Sequence, residues 1–178
     1  MPVYALGPLV PDIHPEAFVH PDAVVIGQVT VGAHASIWPA AVLRGDYGHI
    51  VIGASTSIQD GTVVHTTEQW PTLIGERCVV GHNAHLEGCT VGDGCLVGSG
   101  SIVLNRAVVE ASAGVGAAAL VPEDAIVPSG HIALGVPARM RPTARLPDWV
   151  AEAVDLYVDM GRRYRTELRL IGNGPTLL

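Results

Sequence analysis

Four residues pose the chemical question. His82, His85 and Glu87 lie within the stretch VVGHNAHLEGCTVG, Val79 to Gly92, and His65 precedes them in VVHTTEQW. Imidazoles and carboxylates at this density are candidate ligands for a divalent transition metal. Two histidines with one glutamate form a set that holds catalytic zinc. A metal held in this way activates a water for attack on an electrophilic carbon. Whether these side chains converge depends on the elements that carry them.

Composition points to many short strands. Of the 178 residues, 48% are hydrophobic but only 4% aromatic, and there are 21 glycines and 13 prolines. A core of small and β-branched side chains with frequent turns follows. The formal charge is −7 with no basic run, which argues against nucleic acid and against an anionic membrane surface as partners. The opening MPVYALGPLVPDIHPEA has no basic region and is broken by prolines, so no signal peptide is expected. No apolar run approaches transmembrane length. Three cysteines, Cys78, Cys89 and Cys95, do not make a full disulfide framework. The expected setting is a reducing cytoplasm.

Aliphatic residues recur six apart. Val19, Val25, Val31, Ile37 and Leu43 set the phase, which resumes at Ile52, Ile58 and Val64, and again at Ile74, Val80 and Leu86. From Val91 it runs through Val97, Val103, Val109, Val115, Val121 and Val127. Compact residues follow four positions later, as at Ala23, Ala35, Ala41, Ala107 and Ala113. A period of six fits a parallel β-helix, each hexad forming one side of a triangular coil. The reading is an N-terminal cap over 1–18, a β-helix over 19–132, a connector over 133–146, an amphipathic helix over 147–172 and a tail over 173–178. The helix is predicted from Trp149, Ala153, Leu156, Met160, Tyr164, Leu168 and Ile171, with Pro147 and Asp148 suiting its start. Extra residues in RGDYGHIV and HTTEQWPTL interrupt the phase and are expected to bulge from corners as loops.

Counting hexads in threes sorts residues into vertical columns. Arg44, His65, Glu87 and Leu104 follow the inward residues of one face, so His65 and Glu87 should be next-coil neighbours about 4.8 Å apart. Pro39, Asp60, His82 and Ser99 form a second column on another face. His85 falls near a corner, in neither column. One subunit cannot easily gather His65, Glu87 and His82. Two packed side by side can, and cyclic closure then gives a homotrimer with a site at each seam.

The motifs SIWPAAVLRGDYGHIVIG, SIQDGTVVHTTE, VVGHNAHLEGCTVGD, LVGSGSIVL and LGVPAR resemble those of the gamma-class carbonic anhydrases and their relatives. The resemblance covers roughly residues 10 to 172. It implies an all-β, left-handed parallel β-helix of hexapeptide repeats with a C-terminal α-helix, assembled as a trimer. It also implies zinc, or alternatively iron or another divalent transition metal, held at the subunit seam. The family's first ligand histidine matches His65, the neighbouring subunit's matches His82, and its last falls on Glu87. A glutamate there leaves three readings open: a His65, His82, Glu87 ligand set, a lost site, or His85 as substitute ligand. The anionic ligand would make the bound water harder to ionise than three histidines do.

The same resemblance places Arg44 and Asp46 in an ion-pair network at the interface, and Gln59 and Asp60 beside the metal. It makes Glu68 a proton shuttle and sets Tyr157 of the helix near the metal. Tyr47 and Ser57 stand where the best-characterised active type has glutamate and asparagine, which argues against fast hydration. Three functions compete. The first is a carbonic anhydrase, with metal-bound hydroxide attacking carbon dioxide to give bicarbonate. The second is an acyl-CoA thioesterase or transferase on the same scaffold. The third is a non-catalytic structural trimer.

Overall fold

The computed structural model describes residues 2–143 and 146–172. Short strands stack into a parallel solenoid of three faces. In register, Val42 pairs with Val63, Val63 with His85, His85 with Ile102 and Ile102 with Leu120. A second face stacks Phe18–Val19, Ser36–Ile37, Ser57–Ile58, Val79–Val80 and Leu96–Val97. Inward residues of successive coils form columns, so Val25, Leu43, Val64, Leu86, Val103 and Val121 are all fully enclosed. The hexad period is therefore borne out, with its inward phase as read.

The corners explain the period. At each, one residue takes the left-handed backbone region and a compact residue turns inward after it. His34 precedes Ala35, Asn83 precedes Ala84, Arg106 precedes Ala107 and Ser112 precedes Ala113, all four corner residues having positive φ. Only a small side chain fits inside such a corner, whereas the face centres take Val, Ile and Leu. Leu86→Ala is expected to cost about 2–5 kcal/mol by opening a void in the column behind Glu87. A denaturant midpoint measured on the two proteins checks this.

The solenoid begins earlier and ends later than the sequence indicated. Val3–Tyr4 pairs in parallel with Val25 and Ile26, and Asp12–Ile13 with Thr30 and Val31. Residues before 19 are thus a first coil rather than a cap; two-residue strands, Val3–Tyr4 and Asp12–Ile13, dock without the full hexad pattern. At the far end His131–Leu134 adds to Gly114–Val115, then pairs antiparallel with Arg139–Pro142. That hairpin begins at the end of the expected β-helix, fills most of the expected connector and covers the last coil of the stack.

The first interruption is not a loop. Strand Val42–Ile52 runs unbroken around a corner against Val24–Val31, and the surplus is absorbed as a register shift between Gly27 and Val29. The backbones touch here, since a Cβ on Gly27 would sit 2.2 Å from the Gly45 carbonyl oxygen. The second interruption is a turn. Thr66 Oγ1 donates to the Trp70 carbonyl at 2.9 Å, and Trp70 N–H donates to Thr67 Oγ1 at 3.2 Å. The Arg106 guanidinium lies 4.4 Å from the Trp70 ring centroid while binding Glu123 and Asp124. Arg106→Ala is expected to raise hydrogen exchange in 66–71 several-fold by releasing Trp70, leaving the coils protected.

Helix Leu146–Glu167 (α1) lies along the second face. Its buried stripe is Leu146, Val150, Val154 and Gly161, not the one expected. Trp149 and Leu156 remain 52% and 58% exposed, and Leu168 and Ile171 lie beyond the helix end. The covered face presents Ser36, Ser57, Val79 and Gly114, and small outward groups admit the slimmer valine and glycine ridge closely. Trp38 sets the lower part of this packing. Its Nε1–H donates to Ser36 and Ser57 hydroxyls at 3.0 and 2.9 Å, and its ring meets Tyr157 and Tyr164 edge-on. The expected tail, 173–178, lies outside the described residues.

Candidate functional site

His65 ends strand Val63–His65 and Glu87 ends strand His85–Glu87, and the two residues pair directly across neighbouring coils. His65 Nδ1 lies 3.0 Å from Glu87 Oε1. Its Nε2 lies 3.0 Å from Asp46 Oδ1, on strand Val42–Ile52 one coil away, and Asp46 Oδ2 accepts from Arg44. Arg44, Asp46, His65 and Glu87 are therefore one hydrogen-bonded row. Burial pushes the Asp46 carboxyl up, but the bonds from Arg44 and His65 outweigh it and hold the group below the usual carboxylate range. Asp46 is thus an anion at neutral pH, the fixed end of the row.

His85 also belongs here, contrary to the sequence expectation of a corner residue. It stands two positions before Glu87 on one strand, so both side chains face outward, and its Nε2 lies 3.4 Å from Glu87 Oε2. The two-residue spacing was the available signal. Glu87 thus has an imidazole at each oxygen.

His82 is held apart from this row. It follows strand Val79–Val80 of the helix-covered face, and its Nδ1 lies 2.9 Å from Asp60 Oδ2. The stacking of Asp60 under His82 is as read. Gln59 beside it is buried and bonded through its backbone to Val80 and Thr62. Glu68 is exposed on the turn after His65. Tyr157 is half-buried against Trp38, away from His65. The Arg44–Asp46 pair closes within one chain, so a role between chains is not needed to satisfy it. Among the described residues of one chain, no group of three or more His, Cys, Asp or Glu is gathered so as to hold a metal ion.

The cysteines lie outside this chemistry. All three are free and buried. Burial pushes the Cys89 thiol up to about 12, and hydrogen bonding to Cys95 together with burial raises Cys78. Cys78 and Cys89 are thus packing groups, not nucleophiles.

A triangular parallel solenoid with polar residues presented on two edges defines a hexapeptide-repeat β-helix protein. The family model "Bacterial transferase hexapeptide (six repeats)" matches residues 71–105. A hexapeptide transferase family protein from Anaplasma phagocytophilum is 38% identical, with 91% of this chain and 96% of that one covered and a TM-score of 0.86. A putative acetyltransferase from Bacillus cereus is 30% identical, covering 93% and 98%, with a TM-score of 0.91. The carnitine operon protein CaiE of Escherichia coli O157:H7 is 49% identical over 92 residues, which is 52% of this chain and 47% of that relative. The match thus spans about half the length of such curated relatives. The chain belongs to the hexapeptide transferase family of left-handed β-helices, among the gamma-carbonic-anhydrase-like members its motifs resemble. Hexapeptide-repeat β-helices typically assemble as trimers. No helix among the described residues is long and apolar enough to cross a membrane.

Proposed function

We propose that this chain is an acyl-CoA thioesterase or acyltransferase whose proton-handling centre is the Asp46–His65–Glu87 row at the seam of a homotrimer. The observation that carries this reading is the engagement of both His65 nitrogens by carboxylates at 3.0 Å. A histidine so held is an oriented acid–base group. The likeness to a putative acetyltransferase over almost the whole chain supports acyl transfer as the reaction class.

The chemistry follows from the order of the row. Of Asp46, His65 and Glu87, Glu87 is the most exposed and is assigned to the substrate side, while Asp46 is fixed by Arg44. Water, or the hydroxyl or amine of an acceptor, attacks the thioester carbonyl and gives its proton to Glu87. The carbon–sulfur bond breaks as the new carbon–oxygen or carbon–nitrogen bond forms. The row then returns the proton to the departing thiolate, so no net charge accumulates. Asp46 orients the His65 ring and stabilises the proton while it is stored. His82, steadied by Asp60, faces this row from the adjoining copy. The test is release of coenzyme A thiol from acyl-CoA by the purified trimer. Asp46→Asn is expected to lower turnover about tenfold or more; an unchanged rate would exclude the row as the working unit.

A second reading is a metal centre at the same seam, with His65 and Glu87 from one copy and His82 from the next, holding zinc or another divalent transition metal. It is favoured by the direct contact of His65 with Glu87 and by the Asp60 bond that orients His82. One chain supplies two of the three donors, and their types suit zinc. The bound ion would supply Lewis acidity toward water or carbon dioxide. In that case His65 must give up one of its carboxylate bonds. Metal content of the purified trimer, read beside carbon dioxide hydration, tests this reading.

A further inference from the structure

The helix has two flanks, and they differ. One meets the edge of the covered face that precedes its strands, where Arg77 binds Asp155 at 2.9 Å and Ala151 approaches Glu76 and Arg77. The other meets the edge that follows the strands, where Tyr157 meets Trp38 edge-on. That second edge is the one carrying Asp60 and His82. Along it Trp149, Glu152, Ala153, Leu156 and Tyr157 line an open cavity of about 270 Å³. Trp149 and Leu156, 52% and 58% exposed, have no covering element among the described residues.

The opposite edge of the site carries a matching projection. Tyr47 is 70% exposed, an aromatic ring held out from the strand that bends around the Arg44–Asp46 corner. Its neighbour Asp46 is bonded to His65, so Tyr47 travels with the His65 edge. Whatever brings the His82 edge of one copy to the His65 edge of another therefore brings Tyr47 to the helix flank. The sizes agree, since a cavity of about 150 Å³ already accepts a benzene ring. Glu152 on the cavity rim makes no ion pair among the described residues, which leaves its carboxylate free to accept a hydrogen bond.

We infer that Tyr47 of one copy docks into the Trp149, Ala153, Leu156 and Tyr157 cavity of the next, its hydroxyl donating to Glu152. The contact is an aromatic anchor of the kind that carries much of an interface's energy. It rests on the shared seam, and not on which chemistry the seam performs. It also gives the helix a purpose beyond capping its own solenoid, because the helix of one copy then closes the outer side of its neighbour's site.

The test is cross-linking between full-length copies. Tyr47→Cys and Leu156→Cys chains are co-expressed, purified as one assembly and treated with diamide; the native cysteines are buried. A covalent dimer that needs both variants together is expected. A trimer that gives no such dimer, or a protein that sediments as a monomer, would overturn the inference. Independently, Tyr47→Ala should weaken assembly at least tenfold by sedimentation while its β-sheet circular dichroism stays unchanged, because the side chain contributes nothing to the core. Assembly unweakened by this change would count equally against the docking.

Discussion

Exchanging Glu87 is expected to separate the two chemistries at the seam. Glu87→Gln retains an oxygen that accepts from His65 Nδ1, 3.0 Å away, but it can no longer take up a proton. Thioester turnover should fall about 10²–10³-fold, the range set by losing a positioned acid–base group. Glu87→His acts differently. In the proposed assembly it places an imidazole next to His65, across from a neighbouring copy's His82, and removes the carboxylate between them. Zinc retained through gel filtration should rise toward one ion per chain, while thioester turnover is lost. Metal analysis and thiol release on the same preparations read both effects. Wild-type turnover in Glu87→Gln would remove Glu87 from the reaction.

The second large effect is expected at Gly27. Its φ is +76°, and an added Cβ would lie 2.2 Å from the Gly45 carbonyl oxygen and 2.9 Å from that residue's carbonyl carbon. Both obstacles are backbone, so no rotamer change relieves them. Gly27→Ala should therefore cost on the order of 3 kcal/mol, combining left-handed strain with a forced separation of two strands. The damage is not confined to stability. Moving Val42–Ile52 away from Val24–Val31 shifts Asp46 relative to His65, so activity should fall even in the folded fraction. Gly100→Ala supplies the comparison. Its φ is +66° but nothing lies within 4 Å of the added Cβ, so only the conformational cost of about 1 kcal/mol remains. Thermal denaturation of the two variants, with turnover measured well below their midpoints, checks both the size and the ordering.

The solenoid was legible because its signal is repetitive. Each hexad repeats the same inward aliphatic residue, and Val64, Leu86 and Val103 fall in one column whatever the details of their corners. The same arithmetic put Glu87 on His65 and His82 above Asp60. What escaped it was geometry that the period does not encode. The Arg44–Asp46 segment reads as a loop, because surplus residues look alike whether they form a turn or a bulged strand; Gly27 and Gly45 decide that through backbone contact. His85 lies five positions after Val80, which suggests a corner, whereas counting back two from Glu87 gives its outward direction. The helix face was misjudged for a different reason. Trp149 and Leu156 satisfy a helical period, yet the solenoid selects its partners by shape and prefers Val150 and Val154 against small residues. Apolar side chains left outside in this way are informative about neighbours rather than about the core.

The proton-handling row meets its most direct test in the thiol released from a panel of acyl-CoA thioesters, from acetyl to aromatic acyl groups. Wild type and His65→Asn are measured side by side as assembled, chelator-treated trimers. The account predicts turnover by the wild type that survives chelation and falls at least about a hundredfold in His65→Asn. No thiol release from any thioester by a correctly assembled wild type, or equal rates in the two proteins, would contradict it.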